Sequence, residues 1–262
     1  MSNTNDNYKK DILRLSLFVG ELMLSNGAET SRVEDTMKRI CSSRGYKYIN
    51  IFISPTSIII SDARFDGATF LTMIKERDIN LNKIVLFNEF SRKFVSDKSI
   101  SAKDALKELK QINKNADKYS NFKTIFATGI GCASFACLIG EYSVLSFVLT
   151  VLASMTACFV NDKVFKVTDI TACSSLVASI TVTLIAVALT DLNLISSPTT
   201  MIVGSIMPLL SGVAFVKGVR DLVTGDLISG GARVSEACLN SIALASGAGI
   251  ILDMWIKSGG VL

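Results

Sequence analysis

The chain has 262 residues, 49% of them hydrophobic, with 27 Lys+Arg against 23 Asp+Glu and no histidine. The missing histidine excludes Ser-His and Cys-His catalysis and most zinc sites, so no catalytic residue, metal or cofactor is expected. Charge is uneven: residues 1–121 carry 20 basic and 15 acidic side chains, whereas residues 122–262 carry 7 and 8.

That split predicts two domains, an α+β cytoplasmic domain over 1–121 and an all-α polytopic membrane bundle of five transmembrane helices over 122–262. Ile12–Leu24 is apolar, but Arg14 and Glu21 interrupt it and no small-residue cleavage site follows, so it is not a cleavable signal. Ile12, Leu15, Val19, Leu22 and Met23 fall at helical spacing and predict an amphipathic first helix. A second helix begins at Glu29-Thr30-Ser31, where Glu34 stands three residues after Ser31 in capping-box order, and ends near Gly45. Tyr46–Ser54, Thr56–Asp62 and Thr69–Lys75 read as strands, with Pro55 between the first two. Two further helices are predicted over residues 82–96 and 101–118, with Ser101 and Asp104 in cap positions. The basic excess of this half is spread rather than striped, which argues against a nucleic-acid partner. Its surplus lysine suits a surface lying against anionic lipid headgroups.

Residues 124–140, 142–161, 170–190, 192–216 and 237–252 are apolar stretches of 17, 20, 21, 25 and 16 residues. A bilayer core of about 30 Å needs about 20 such residues in a helix, so five spans are expected, the last completed by Met254–Ile256. Basic residues mark the cytoplasmic side. Lys110, Lys114, Lys118 and Lys123 precede the first span, Lys163 and Lys166 lie between the second and third, and Lys217, Arg220 and Arg233 lie between the fourth and fifth. The intervening turns hold only Glu141 and Asp191. The alternation predicts a multi-pass protein of the cell (inner) membrane with its N-terminus cytoplasmic and its C-terminus external. Lys257 is then outside, beside a possible interfacial anchor at Trp255. The six cysteines include no C-x-x-C pair and read as small packing residues.

Three features of the second half exceed plain apolar helix. Gly204, Pro208 and Gly212 recur every four residues in the fourth span. Proline removes a helical hydrogen bond, and at membrane depth the freed backbone must face protein or a water-filled cavity, as in the broken helices of transporters; a simple kink with close packing is the plain alternative. The segment Lys217–Glu236 holds Lys217, Arg220, Asp221, Asp226, Arg233 and Glu236 between apolar spans. Arg220/Asp221 and Arg233/Glu236 could pair across the turn between helices, and such residues near a bundle interior are functional candidates; an ordinary cytoplasmic loop is the alternative. Ala237, Ser241, Ala245 and Gly249 form a small-residue stripe that predicts close helix contact, within the subunit or with a partner, and Gly129 and Gly131 in the first span are expected to act similarly. In the first half, Glu29, Thr30, Arg32 and Glu34 cluster at a helix start, and Asn88, Ser91 and Arg92 on a later helix. Capping, surface ion pairs and a solvated face account for both groups without a function.

The motifs Gly27-Ala-Glu29-Thr30-Ser-Arg32-Val33-Glu34-Asp35, Pro55-Thr56-Ser57-Ile58, Asn88-Glu-Phe-Ser91-Arg92 and Met207-Pro208 through Gly212, Arg220-Asp221, Gly225-Asp226, Ser229-Gly230 and Arg233-x-x-Glu236 occur in order. Together they resemble the N-terminal, five-span half of the bacterial threonine/serine exporter family. The resemblance implies a cytoplasmic domain followed by five spans. It also implies, as partner, a separate small multispan membrane protein supplying the C-terminal half, since the length is that of the split, two-component form. It further implies export of threonine and serine, or of a dicarboxylate such as succinate, driven by the proton gradient. Ser211 and Lys217 depart from the family pattern, which usually has proline and asparagine there.

The reading that follows is a subunit of a secondary active exporter of small polar metabolites, and not an enzyme. Arg220 or Lys217 would attract the small-molecule substrate's carboxylate, and Asp221, Asp226 or Glu236 would carry the proton. The alternative is a membrane-anchored cytoplasmic enzyme or regulatory domain; one span would anchor it, so five argue against it. Five spans rarely enclose a two-sided path alone, so hetero-assembly or a homo-oligomer is expected.

Overall fold

A computed structural model of the chain describes residues 2–64, 67–74, 79–115, 120–140 and 143–260. Lys75, Lys118, Glu141, Tyr142 and Leu262, which enter the sequence reading, lie outside the described residues. Two compact units emerge. One comprises Met1–Asp117 with Lys217–Arg233, the other Lys118–Val216 with Val234–Leu262.

The first unit holds helices α1 (Ser2–Ser25), α2 (Thr30–Ser43), α3 (Leu81–Ser96) and α4 (Ala102–Asn115) and strands β1 (Ile49–Ser54), β2 (Ser57–Asp62) and β3 (Thr69–Met73). The strands form one antiparallel sheet in the order β1-β2-β3, with Ile51 opposite Ile60 and Ile60 opposite Phe70. Ile12, Leu15, Val19 and Met23 of α1 are fully buried, as their helical spacing requires. They share a core with Val33, Met37 and Ile40 of α2, Ile58 and Ile60 of β2, and Phe87, Phe90 and Phe94 of α3. The Ser16 hydroxyl donates to the Met37 carbonyl at 3.1 Å and ties α1 to α2. Burial pushes the Cys41 thiol up to about 11, so it stays protonated and inert. Arg44 closes α3 by donating to the carbonyls of Phe94 and Asp97 at 3.1 and 2.9 Å while its guanidinium lies 4.0 Å from the Phe94 ring centre.

The expected α+β cytoplasmic domain, set apart from a helical bundle, is not what folds. Among the described residues there are ten α-helices and one sheet of three short strands near the N-terminus. Residues 217–233 complete the first unit, so the sheet does not define a domain of its own. The physical reason is that hydropathy sorts segments by solvent. It does not say which distant segment covers an open sheet edge, and here the Ser229 hydroxyl donates to the Ile53 carbonyl of β1 at 3.1 Å.

Local expectations were met unevenly. Ser101 caps α4, accepting from the Asp104 amide at 3.2 Å and donating to its carboxylate at 2.7 Å. The capping box at Ser31 does not form: the N-cap of α2 is Glu29, with no side-chain cap bond, and Glu34 pairs with Lys38 instead.

The second unit contains α5 (Asn121–Ile139), α6 (Val144–Thr168), α7 (Thr171–Asp191), α8 (Pro198–Ile206), a 3-10 turn over Met207–Leu209, and most of α10 (Leu227–Lys257); α9 (Gly212–Val223) begins in it. Helices α5, α6, α7 and α10 are each long and apolar enough to cross a membrane, and α8 with α9 makes a fifth if the pair, bent by 56°, counts as one span. The expected fourth span therefore begins at Pro198, not Leu192, and breaks where Pro208 withholds its hydrogen bond.

Small and hydroxyl residues line the helix contacts. Ser174, Ala178, Ser179, Val182, Thr183 and Ala186 of α7 are buried, and the hydroxyls bond back to their own helix, Thr183 to the Ser179 carbonyl at 2.8 Å, so none is left wanting in apolar surroundings. A Cβ on Gly204 would stand 2.5 Å from that of Ala136, so glycine there lets α8 approach α5. Gly129 likewise faces Val151 and Met155 of α6, but Gly131 faces open space and does not serve as expected. The stripe Ala237/Ser241/Ala245/Gly249 is not the packed face of α10 either, because Ala245 and Gly249 are exposed. The buried positions are Ala237, Asn240, Leu244, Gly247, Ala248 and Trp255, a face that follows the 3.6-residue period instead of strict fours. The Trp255 indole donates to Asp191 at 3.0 Å, fastening α10 to the end of α7.

Candidate functional site

Two motifs 191 positions apart in sequence meet in the first unit. The first is the turn into α2. Chain reversal after α1 is made by Gly27 at φ 88, with its amide on the Leu24 carbonyl and that of Ala28 on the Met23 carbonyl. This cap needs a residue that tolerates left-handed backbone. It leaves the Gly27 carbonyl, the Glu29 carboxylate and the Thr30 hydroxyl on one edge.

The second is the helical hairpin of α9 and the start of α10. Gly225, at φ 96, closes α9 with the same pair of bonds, Gly225 N–H to the Leu222 carbonyl and Asp226 N–H to the Asp221 carbonyl. A Cβ on Gly230 would lie 2.6 Å from the Gly218 carbonyl oxygen and 2.7 Å from the Leu222 amide. The two helices thus touch backbone to backbone, and this contact brings Arg233 of α10 against Asp221 of α9.

The polar contacts follow. Asp221 is 2% exposed. Its Oδ2 accepts from the Thr30 hydroxyl at 3.3 Å and lies 3.6 Å from Arg233 Nε. Lys217 donates its ammonium to the Gly27 carbonyl. Arg220 Nη1 is 2.7 Å from Glu29 Oε1, and Arg32 Nε lies 3.4 Å from the other oxygen of that carboxylate. Four cations and two carboxylates are therefore gathered around one helix start, with Asp221 and Arg233 withdrawn from water and Arg220 on the rim. In the same unit, a cavity of about 320 Å³ is lined by Thr30, Glu34, Ile53, Asp226 and Ser229.

The sequence-derived candidates fall into three groups. Glu29, Thr30, Arg32, Lys217, Arg220, Asp221 and Arg233 form the cluster just described. Glu34 and Asp226 line the neighbouring cavity. The remainder stand elsewhere: Asn88 is half-buried and Arg92 exposed on α3, Glu236 is exposed on α10, and Pro208 and Gly212 flank the break between α8 and α9. Pairing across the turn between helices forms for one of the two arginines, and the other finds its partner outside the segment. Arg220 takes Glu29, and Arg233 takes Asp221.

One polar residue escaped the sequence reading. Asn240, 2% exposed, donates from Nδ2 to the Leu209 carbonyl at 2.8 Å and to the Ser211 hydroxyl at 2.9 Å. It satisfies a carbonyl that the interruption between α8 and α9 leaves without a helical partner. A buried asparagine on a span's packed face was the available signal. Asn240→Leu keeps the size but strands that carbonyl, at a cost of about 1–3 kcal/mol. The expected result is a lower thermal midpoint of the detergent-solubilised protein, whereas Asn88→Leu on α3 leaves it within error.

A family model described as "Putative threonine/serine exporter" matches residues 14–255. The chain is 23% identical over 261 residues to "Probable succinate transporter subunit YjjP" of Escherichia coli (strain K12), covering 97% of this chain and 98% of that protein. It is 23% identical over 251 residues to the protein of the same description from Klebsiella aerogenes, covering 94% and 95%. It is 19% identical over 250 residues to "Threonine/serine exporter" of Corynebacterium glutamicum, covering 93% of this chain and 51% of that protein. No solved structure matches.

Proposed function

Because the chain belongs to the threonine/serine exporter family, whose members are membrane exporters of small metabolites, we propose that it is one subunit of a secondary active, proton-coupled exporter. The solute is a small carboxylate-bearing metabolite, threonine, serine or a dicarboxylate such as succinate. The remaining subunit is a separate small multispan membrane protein, a reading supported by the word "subunit" in the names of the full-length relatives. The N-terminus lies in the cytoplasm and the C-terminus outside, as the alternation of basic loops requires. The chain is a carrier component and not an enzyme.

The observation that carries this reading is the buried Asp221–Arg233 pair beside Lys217. While Asp221 is charged it holds the Arg233 guanidinium. A proton on Asp221 removes that claim, and the guanidinium becomes available to the carboxylate of a solute. Fork-shaped guanidinium donors suit a carboxylate, and the Lys217 ammonium adds a second positive charge. Loss of the proton reverses the exchange and expels the solute. Solute and proton thus compete for the same pair of residues, which is what couples their movements.

The test is efflux of labelled threonine, serine and succinate from cells making this chain together with the small membrane protein encoded beside it. Export of at least one solute, accelerated by a proton gradient and dependent on both chains, is expected. Equal efflux with and without the pair would refute the proposal.

A further inference from the structure

A second cavity, of about 440 Å³, lies wholly within the second unit. It is bordered by Ser143, Ser146 and Thr150 at the start of α6 and by Ser196, Ser197 and Thr200 at the start of α8. Among the described residues, its lining includes no charged one. Ile195 and Met201, buried in an apolar cluster with Ala153 and Ala186, close it from below.

The hydroxyls on the α8 side are placed to act as donors. On the α6 side Thr150 donates to the Ser146 carbonyl at 2.8 Å, and the Ser143 and Ser146 hydroxyls bond each other at 3.0 Å. Ser197 Oγ accepts from the Thr199 amide at 3.3 Å. A hydroxyl has one hydrogen and two lone pairs, so a lone pair spent on the backbone leaves the O–H to be offered elsewhere. Thr200 is fixed by close contact: a Cβ on Gly140 would stand 2.9 Å from its Oγ1. The hydroxyls of Ser196, Ser197 and Thr200 over an apolar floor recognise a small solute through its carboxylate oxygens and hold it without a countercharge. That makes binding weak and departure fast, the properties a release site needs.

We propose that this cavity is the site from which the exported carboxylate-bearing solute leaves the protein on the external side. The inference rests on the exporter reading above and on its orientation, in which the turns before α6 and α8, lacking basic residues, face outward.

The test uses the full chain with its membrane partner in intact cells. Ser197→Cys is treated with a membrane-impermeant maleimide, and labelling is counted above that of the unsubstituted chain. The reagent is expected to react from outside. Millimolar external succinate, threonine or serine, whichever the cells export, is expected to slow it severalfold, while ethanolamine, which lacks a carboxylate, leaves it unchanged. Independently, Thr200→Val keeps the shape and removes one hydroxyl. It should raise by about tenfold the external solute that half-inhibits export, as one lost hydrogen bond to a charged group predicts. Reaction only after permeabilisation, absence of protection by every exported solute, or an unchanged half-inhibiting concentration would each overturn the inference while export itself leaves the carrier reading standing. Cells that export none of the three solutes overturn both.

Discussion

Asp221→Asn is expected to abolish export while the protein still reaches the membrane in normal amount. Membrane insertion depends on α5, α6, α7 and α10, whose length and apolarity the substitution does not touch. The asparagine keeps the shape and still accepts from the Thr30 hydroxyl, but it takes no proton and leaves Arg233 without a carboxylate. Breaking a buried ion pair by removing one charge costs about 3 kcal/mol or more, so the first unit also loses stability. Two measurements separate the effects. Export at equal membrane abundance reads the coupling, with a drop of about 100-fold or more expected if both proton and pair are lost. Thermal unfolding reads the stability. Arg233→Gln should be less destabilising in the Asp221→Asn background than alone, because the partner it would strand is already neutral. Full export by Asp221→Asn at equal abundance would remove Asp221 from the mechanism.

Gly230→Ala is expected to damage export nearly as much through the addition of one carbon. That carbon would sit 2.6 Å from the Gly218 carbonyl oxygen and 2.7 Å from the Leu222 amide. Both neighbours are backbone, so no side chain can swing aside and the hairpin of α9 and α10 must open. Overpacking of this kind costs about 1–3 kcal/mol. The functional consequence is larger than that figure suggests, because Arg233 follows Gly230 by one turn and moves away from Asp221 as the helices part. Gly231→Ala is the matched control: a Cβ there meets nothing within 4 Å. Export lost in the first variant and kept in the second is the expected result. Equal export in both would show that the close approach of α9 to α10 is unimportant to transport.

The charged segment 217–236 was recognisable in the sequence, but its pairings were only partly so. Pairing of Arg220/Asp221 and Arg233/Glu236 across the turn was expected, and Arg233 does take Asp221; Arg220 instead takes Glu29. Sequence spacing says which side chains share a helix face and nothing about a partner 191 positions away. Thr30 illustrates the same limit. It is the first residue of α2, just after the N-cap Glu29, and its hydroxyl hydrogen goes to Asp221. Asn240 was passed over because one polar residue in an apolar stretch carries no periodic signal; its meaning appears only once the Leu209 carbonyl is beside it. The α10 stripe does not pack within the chain, for a geometric reason: a strict four-residue repeat drifts around a helix of 3.6 residues per turn, so Ala245 and Gly249 rotate off the face that Leu244 and Ala248 occupy.

Which stretches are apolar enough to cross a bilayer was legible in the order of residues, because transfer free energy adds up locally along a helix-long window. The family motifs, the proline of the fourth apolar stretch and the charged stretch between apolar helices were legible there too. Which segments share a core was decided by the folded chain alone. Residues 217–233 join the N-terminal unit through Asp221 on the Thr30 hydroxyl, Lys217 on the Gly27 carbonyl, the Arg220–Glu29 ion pair and a sheet-edge bond at Ser229, and such contacts depend on three-dimensional proximity that no local window encodes.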